Sequence, residues 1–334
     1  ASHGAGWRGI ITDDSANSNI LTLPELSAAL RLAIQNANVD SFDLLVNDAC
    51  LMSSVEYHQV MADFFDYSLA SPEIVVDPAL DMTQFIQMLR SDPEVEIAQL
   101  GQSLVDTYIN RDILLRPGAD NVYLTNAVLD LREFDRLVAA INNFANIVIE
   151  QPNRFAPVIG QARANVYTYT AFLGGKELID LGNFMQQVSI STDDLSLRLA
   201  AQRVIRELDS VVTYGSAGER AQRISYQNIF FPEESRGFSN DYFEETQLSR
   251  WGEMLRTYYN AVTPQLWTQS DEIGFHPPIA PRVKLTAVLP RGEASTTFPL
   301  GGFLEIVGRQ IATGNLAVDQ LQPDGSAIRF LDRR

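Results

Sequence analysis

Apolar residues recur at helical spacing through Leu26, Leu30, Ala33 and Ile34, on a segment that Thr22 can cap and Pro24 can begin. The pattern then shortens to Phe42-Asp43-Leu44-Leu45-Val46, a run typical of a strand buried on both faces. Helical periodicity returns over about 51–65, with Val55, Met61, Phe64 and Phe65 expected to point inward, and 67–70 reads as a further strand. This alternation of strand, helix and strand predicts a parallel α/β sheet. Two helices fit 82–115, divided at Ser91-Asp92-Pro93, and 117–121 reads as a turn. Residues 122–131 open as a strand and pass into an amphipathic helix that ends near 150. Further helices fit 176–190, 192–213 and 246–262. Between the last two, 224–232 alternates and is rich in Ile, Tyr and Phe, as a strand returning to the sheet would be. Pro277-Pro278-Ile279-Ala280-Pro281 reads as a linker, and the residues after it as short strands with Gly and Pro turns. The expected division is an α/β part over 1–116, a helical subdomain over 117–265, and a linker with the start of a small β-rich domain over 266–334.

Composition narrows the chemistry. The 334 residues are 46% hydrophobic and 20% charged, as in ordinary globular proteins. Acidic residues number 42 and basic residues 25, a net charge of −17 that repels nucleic acid and attracts basic partners. No apolar run approaches the roughly 20 residues of a membrane-spanning helix. There is one cysteine, Cys50, and three histidines, His3, His58 and His276. An intrachain disulfide and a cysteine-based zinc site are therefore both excluded.

Cys50 ends a predicted buried strand and precedes a predicted helix. Open α/β sheets place their active sites at that edge, and a helix N-terminus lowers a thiol pKa. His3 precedes Gly4, a residue that lets a backbone N–H approach an oxyanion closely. The histidine lies upstream of the cysteine by roughly the 50 residues that separate the two in caspases. Taken singly, a lone cysteine is most often a small buried hydrophobe and a terminal histidine a surface residue. Taken together at two strand edges, they point to nucleophilic catalysis.

His3-Gly4-Ala5-Gly6-Trp7 and Asp48-Ala49-Cys50-Leu51-Met52, with Glu56 one turn further, resemble the clostripain family of cysteine endopeptidases. Leu21–Leu26, 42–45, Ser71-Pro72-Glu73, 130–137, 179–184 and 229–232 are similar to that family's later landmarks, so the likeness covers roughly 1–262. The resemblance implies a caspase-like fold, a mostly parallel sheet flanked by helices. It implies cleavage after Arg, and by extension Lys, by a Cys50–His3 dyad, with the N–H groups of Gly4 and Cys50 as oxyanion hole. It points to Asp48 as the anion for a guanidinium, with Asp77 and Glu73 as further candidates. Trp7 is expected to pack the histidine loop or floor the substrate cleft, Glu56 to be a structural hydrogen-bond partner, and His58 a surface or helix-packing residue. The implied partners are proteins or peptides with basic residues. The implied location is extracellular or in the cell envelope of a bacterium.

The chain departs from the family in places. Family strands that precede the histidine motif are expected to be missing here. Only Arg8 and Arg31 lie between His3 and Cys50, so no self-cleavage is expected there. No Asp-x-Asp-x-Asp-Gly loop is present, so no cofactor is expected, calcium being the remaining implication of the resemblance. The competing reading is a catalytically inactive peptide-binding or adaptor module of the same fold.

Overall fold

The computed structural model describes residues 4–13, 19–76, 80–115, 124–170, 175–218, 224–272, 282–289, 292–299, 316–321 and 327–331. The chain divides into two compact units, Ala1–Val262 and Thr263–Arg334.

The first unit opens with an antiparallel pair, β1 (Ile10–Asp13) and β2 (Asn19–Leu21). Helix α1 (Leu23–Ala37) follows. It starts where the sequence indicates: the Thr22 hydroxyl accepts the Glu25 N–H, and the Glu25 carboxylate accepts the Thr22 N–H at 3.0 Å, a reciprocal capping box. Strand β3 (Phe42–Val46) leads through α2 (Val55–Met61) to β4 (Phe65–Ala70), and the two strands pair in parallel. Helices α3 (Met82–Ser91) and α4 (Ile97–Leu115) precede β5 (Thr125–Asp130). Then come α5 (Phe134–Glu150), α6 (Pro152–Ala164), β6 (Leu178–Asp180), α7 (Leu181–Ser191), α8 (Leu195–Val211) and β7 (Val212–Ala217). Strand β8 (Asn228–Phe230) and helices α9 (Asp241–Glu245) and α10 (Ser249–Glu272) complete the series.

The main sheet has the order β3-β4-β5-β7. The expected mostly parallel sheet is corrected here: β3 and β4 are parallel, but β5 pairs antiparallel with both β4 and β7. One helix, α2, returns the chain for a parallel strand, and the second helix between β4 and β5 adds a further reversal that brings β5 in antiparallel. From β5 to β7 the chain passes through α5, α6, β6, α7 and α8, a path whose direction no such count fixes.

Three further expectations change. The helix read over 192–213 ends at Val211, and its last residues begin β7, an edge strand. The strand read over 224–232 does not join the main sheet. β8 pairs antiparallel with β6 in a separate two-stranded sheet, and Ser54 forms a parallel bridge to Asn228. The segment read as a helix from 176 thus begins as strand β6.

Alternation along the main sheet sorts its side chains to two faces. Leu69 and Val128 pack with Leu104, Val105, Tyr108 and Ile109 of α4. Ala70, Ala127 and Leu129 face the larger core built by α2, α5, α7 and α8. The architecture is thus α/β with helices on both faces of the sheet.

The second unit carries a four-stranded antiparallel sheet of order β10-β9-β11-β12, from β9 (Arg282–Leu289), β10 (Gly292–Pro299), β11 (Leu316–Leu321) and β12 (Ala327–Leu331).

Candidate active site

β3 and β4 run parallel, so both release the chain at the same edge of the sheet. Past that edge the two segments pair again through their backbones. The Asn47 N–H donates to the Leu69 carbonyl at 2.9 Å, Leu51 N–H to the Glu73 carbonyl at 3.0 Å, and Ser53 N–H to the Ser71 carbonyl at 3.0 Å. Cys50 lies inside this pairing and is half-buried. Its Sγ receives the Val75 N–H at 3.4 Å, and the thiol points to the Val75 carbonyl at 3.8 Å.

The turn after the cysteine is strained. Leu51 has φ of 63°, a left-handed conformation that costs a branched side chain roughly 1–2 kcal/mol. It persists because both of its peptide groups are tied: its N–H to Glu73, and its carbonyl to the Asn228 side-chain amide at 3.1 Å. The same amide reaches the Pro72 carbonyl at 3.1 Å, and the Asn228 N–H donates to Ser53 at 2.8 Å. Asn228 therefore clamps the nucleophile turn to the 71–75 segment.

Beneath the turn runs a buried polar chain. The Tyr57 hydroxyl donates to Asn47 Oδ1 at 2.6 Å, and Asn47 Nδ2 donates to Ser68 Oγ at 3.1 Å. His58 Nε2 meets Ser68 Oγ at 2.9 Å, and Gln227 Nε2 meets His58 Nδ1 at 3.0 Å and Ser53 Oγ at 2.6 Å. With the Gln227 amide as donor, His58 carries its proton on Nε2. Burial drives the His58 pKa down to about 3, so the ring is neutral. It is fully buried, a packing residue of the helix and not a surface one. Sequence reasoning missed Gln227, Asn228, Asn47 and Ser53. The one signal was the adjacent pair Gln227-Asn228 directly before the apolar run Ile229-Phe230-Phe231.

The expected activation of Cys50 by a helix N-terminus is corrected. Helix α2 begins at Val55, with Ser54 as its cap accepting the Tyr57 N–H, so Cys50 stands a full turn upstream of it. Burial, with the Glu73 and Asp48 carboxylates adding to it, raises the thiol pKa, against the lowering effect of the Val75 N–H.

The other expected site residues fall as follows. Gly4 is buried and bridges to Ile10; a Cβ there would collide with the Cys50 carbonyl oxygen and the Met52 side chain. Asp48 is exposed and accepts the Leu80 N–H at 3.4 Å. Glu73 is buried, and its carboxylate accepts the N–H groups of Ile74 at 3.1 Å and Thr170 at 3.0 Å. Trp7 is only 2% exposed, packed on Phe230 with ring centroids 5.0 Å apart and on Tyr242 at 5.3 Å, beneath the Arg8 guanidinium. Glu56 is a buried hydrogen-bond partner, accepting the Phe230 N–H and the Tyr242 hydroxyl, each at 2.9 Å. His3 and Asp77 lie outside the described residues, as does His276. Among the described residues, no group of three or more His, Cys, Asp or Glu is placed to hold a metal, and no helix is long and apolar enough to cross a membrane.

Residues 1–270 match the clostripain family. Among solved structures, a cysteine protease of B. fragilis is 18% identical, with a TM-score of 0.53 over 72% of this chain and 96% of that one. A secreted C11 cysteine protease from Bacteroides thetaiotaomicron, solved with an irreversible peptide inhibitor, is 15% identical, with a TM-score of 0.53 over 75% of this chain and 70% of that one. An inactive zymogen C11 protease from Parabacteroides distasonis is 15% identical, with a TM-score of 0.52 over 74% and 67%. At these identities the likeness shows the fold. No curated protein matches the chain.

Proposed function

The chain belongs to the clostripain family of cysteine proteases, which have a caspase-like fold, and on that premise we propose that it is a cysteine endopeptidase cutting after Arg, and by extension Lys. The observation that supports this reading is the close approach of Gly4, the residue after His3 in the sequence, to the main-chain carbonyl of Cys50.

In this reading the Cys50 thiolate attacks the scissile carbonyl carbon, and the N–H groups of Gly4 and Cys50 receive the oxyanion. His3 gives its proton to the leaving amine, leaving a thioester on Cys50. It then takes a proton from the water that hydrolyses the thioester and regenerates the thiol. The Val75 N–H supplies the sulfur with a hydrogen bond that favours the thiolate. Asp48, exposed two residues before the nucleophile, pairs with the substrate guanidinium, and Asp77 is a second candidate. Glu73 is a poorer candidate for that role, because its carboxylate already accepts two backbone N–H groups. The net charge of −17 draws basic protein or peptide substrates to the surface. An extracellular or cell-envelope location accords with the secreted relative.

Fluorogenic peptides ending in Arg, Lys, Asn or Asp test the proposal on the whole chain and on Cys50→Ala and His3→Ala. Release after Arg or Lys that vanishes in both variants supports it. Hydrolysis that survives Cys50→Ala refutes it. One observation favours the second reading, a peptide-binding module without catalysis: burial disfavours the Cys50 thiolate. Saturable binding of an Arg peptide by a folded chain that never hydrolyses it would select that reading.

A further inference from the structure

Glu73 connects three pieces of backbone around the sulfur. Its carbonyl accepts the Leu51 N–H at 3.0 Å, fixing the left-handed turn that follows Cys50. Its carboxylate crosses to another segment and accepts the Thr170 N–H with both oxygens, each at 3.0 Å. Its Oε1 also accepts the Ile74 N–H at 3.1 Å, one residue before Val75, whose own N–H lies on Cys50 Sγ. Thr170 is itself held in a left-handed conformation, φ 56°, and receives the Gly175 N–H on its carbonyl at 3.0 Å. A buried carboxylate is costly unless its oxygens are satisfied, and here backbone N–H groups satisfy it.

We propose that Glu73 is a positioning residue of the Cys50 centre, its main chain setting the nucleophile turn and its carboxylate holding Thr170 and the Val75 amide in place beside the sulfur. This deepens the peptidase reading and rests on it for the substrate readout alone; the effect on the thiol stands apart. The titratable groups on which Glu73 acts are Cys50, which Asp48 also influences, and Tyr169, whose hydroxyl donates to Asp180 at 2.6 Å. Burial pushes the Glu73 carboxyl up to about 7, and its charge in turn disfavours the Cys50 thiolate. Its charge thus acts on the sulfur that its hydrogen bonds help to position.

Glu73→Gln and Glu73→Ala separate the two effects. The glutamine Oε1 can keep both N–H bonds that Glu73 Oε1 makes, while removing the charge and the titration. Alanine leaves Thr170 and Ile74 without an acceptor. Alkylation of Cys50 by iodoacetamide and kcat/KM on an Arg-ending peptide are followed from pH 5.5 to 9, with folding checked by circular dichroism. The wild type should show an inflection near pH 7 in alkylation that disappears in Glu73→Gln, together with a several-fold faster reaction in the variant above that pH and below the titration of the thiol. Glu73→Ala should lower kcat/KM about tenfold, and Glu73→Gln should recover most of the loss. An alkylation profile of Glu73→Gln that superimposes on the wild type overturns the proposal, as does equal behaviour of folded Gln and Ala variants. If Glu73→Ala does not fold, the Gln profile alone decides. Should no variant hydrolyse peptide while alkylation still responds to Glu73, the peptidase reading falls and this inference stands.

Discussion

The Cα of Gly4 rests on the main-chain carbonyl of Cys50, so closely that residue 4 has no room for a β carbon. The contact explains why glycine follows His3: it is the residue that lets the loop reach the cysteine. Gly4→Ala should force the loop off that turn. Overpacking of this kind costs about 1–3 kcal/mol, and the displaced N–H should lower kcat/KM as well. Thermal denaturation and turnover measure both. A Gly4→Ala protein with wild-type melting and turnover would show that the loop stands elsewhere in solution.

Asp48 is exposed and spends one carboxylate oxygen on the Leu80 N–H at 3.4 Å. In Asp48→Asn the expected result is a loss in kcat/KM for Arg-ending peptides of about 10–100-fold, from the 1.5–3 kcal/mol of a charge-assisted hydrogen bond. Peptides with a neutral residue at that position should be little affected. A uniform loss across all peptides would place Asp48 in support of the turn instead of in contact with the guanidinium.

His58 governs part of the acid sensitivity. Its pKa is about 3 folded, below the ordinary value of 6.5, so the unfolded chain binds the extra proton first. The resulting stability is complete above pH 6.5 and is lost as pH falls from 6.5 toward 3. A denaturant midpoint measured across this window should fall with pH in the wild type and fall less in His58→Gln. At pH 8 the same variant should be less stable, because it disturbs the partners Ser68 and Gln227. Parallel acid limbs for the two proteins would count against a neutral, buried His58.

Glu56 has the opposite sign. Its Oε1 serves the Phe230 N–H and the Tyr242 hydroxyl, while its Oε2 is buried with no close hydrogen-bond partner among the described residues. Burial raises its pKa above 4.5, so the buried carboxyl adds stability below that value and loses it as pH rises through the folded pKa. Glu56→Gln, which can preserve the Oε1 bonds without a charge, should raise the melting temperature at pH 8. Glu56→Ala should lower it, the orphaned donors costing about 1–3 kcal/mol of stability. A Gln variant that melts below the wild type at pH 8 would mean that the carboxylate is better compensated than these contacts indicate.

Much of the chain was legible before any coordinates. Thr22 and Glu25 announced the start of α1, and Ser91-Asp92-Pro93 the break between two helices. The short apolar run 42–46 located the strand that ends at the cysteine, because strand and helix periodicities are local properties of the side chains. Asp48-Ala49-Cys50 and His3-Gly4 named the candidate chemistry by residue type and order. Strand direction was not legible in the same way. Whether β5 runs parallel or antiparallel depends on the path the intervening segments take across the sheet, which is a tertiary property. The β8 segment carries the alternation of a strand, yet nothing local distinguishes the main sheet from the small sheet with β6. The buried chain from Tyr57 through Asn47, Ser68, His58 and Gln227 to Ser53 was invisible for a related reason. Its members are scattered from 47 to 227, and each is an ordinary polar residue until folding removes its water and leaves the others and nearby carbonyls as its partners. The sequence by itself determined the elements and the nucleophile candidate, which follow from short-range pattern. Only the tertiary structure decided that Glu73 and Asn228 hold the turn after Cys50, since hydrogen bonds between distant segments exist only once packing has brought those segments together and dried them.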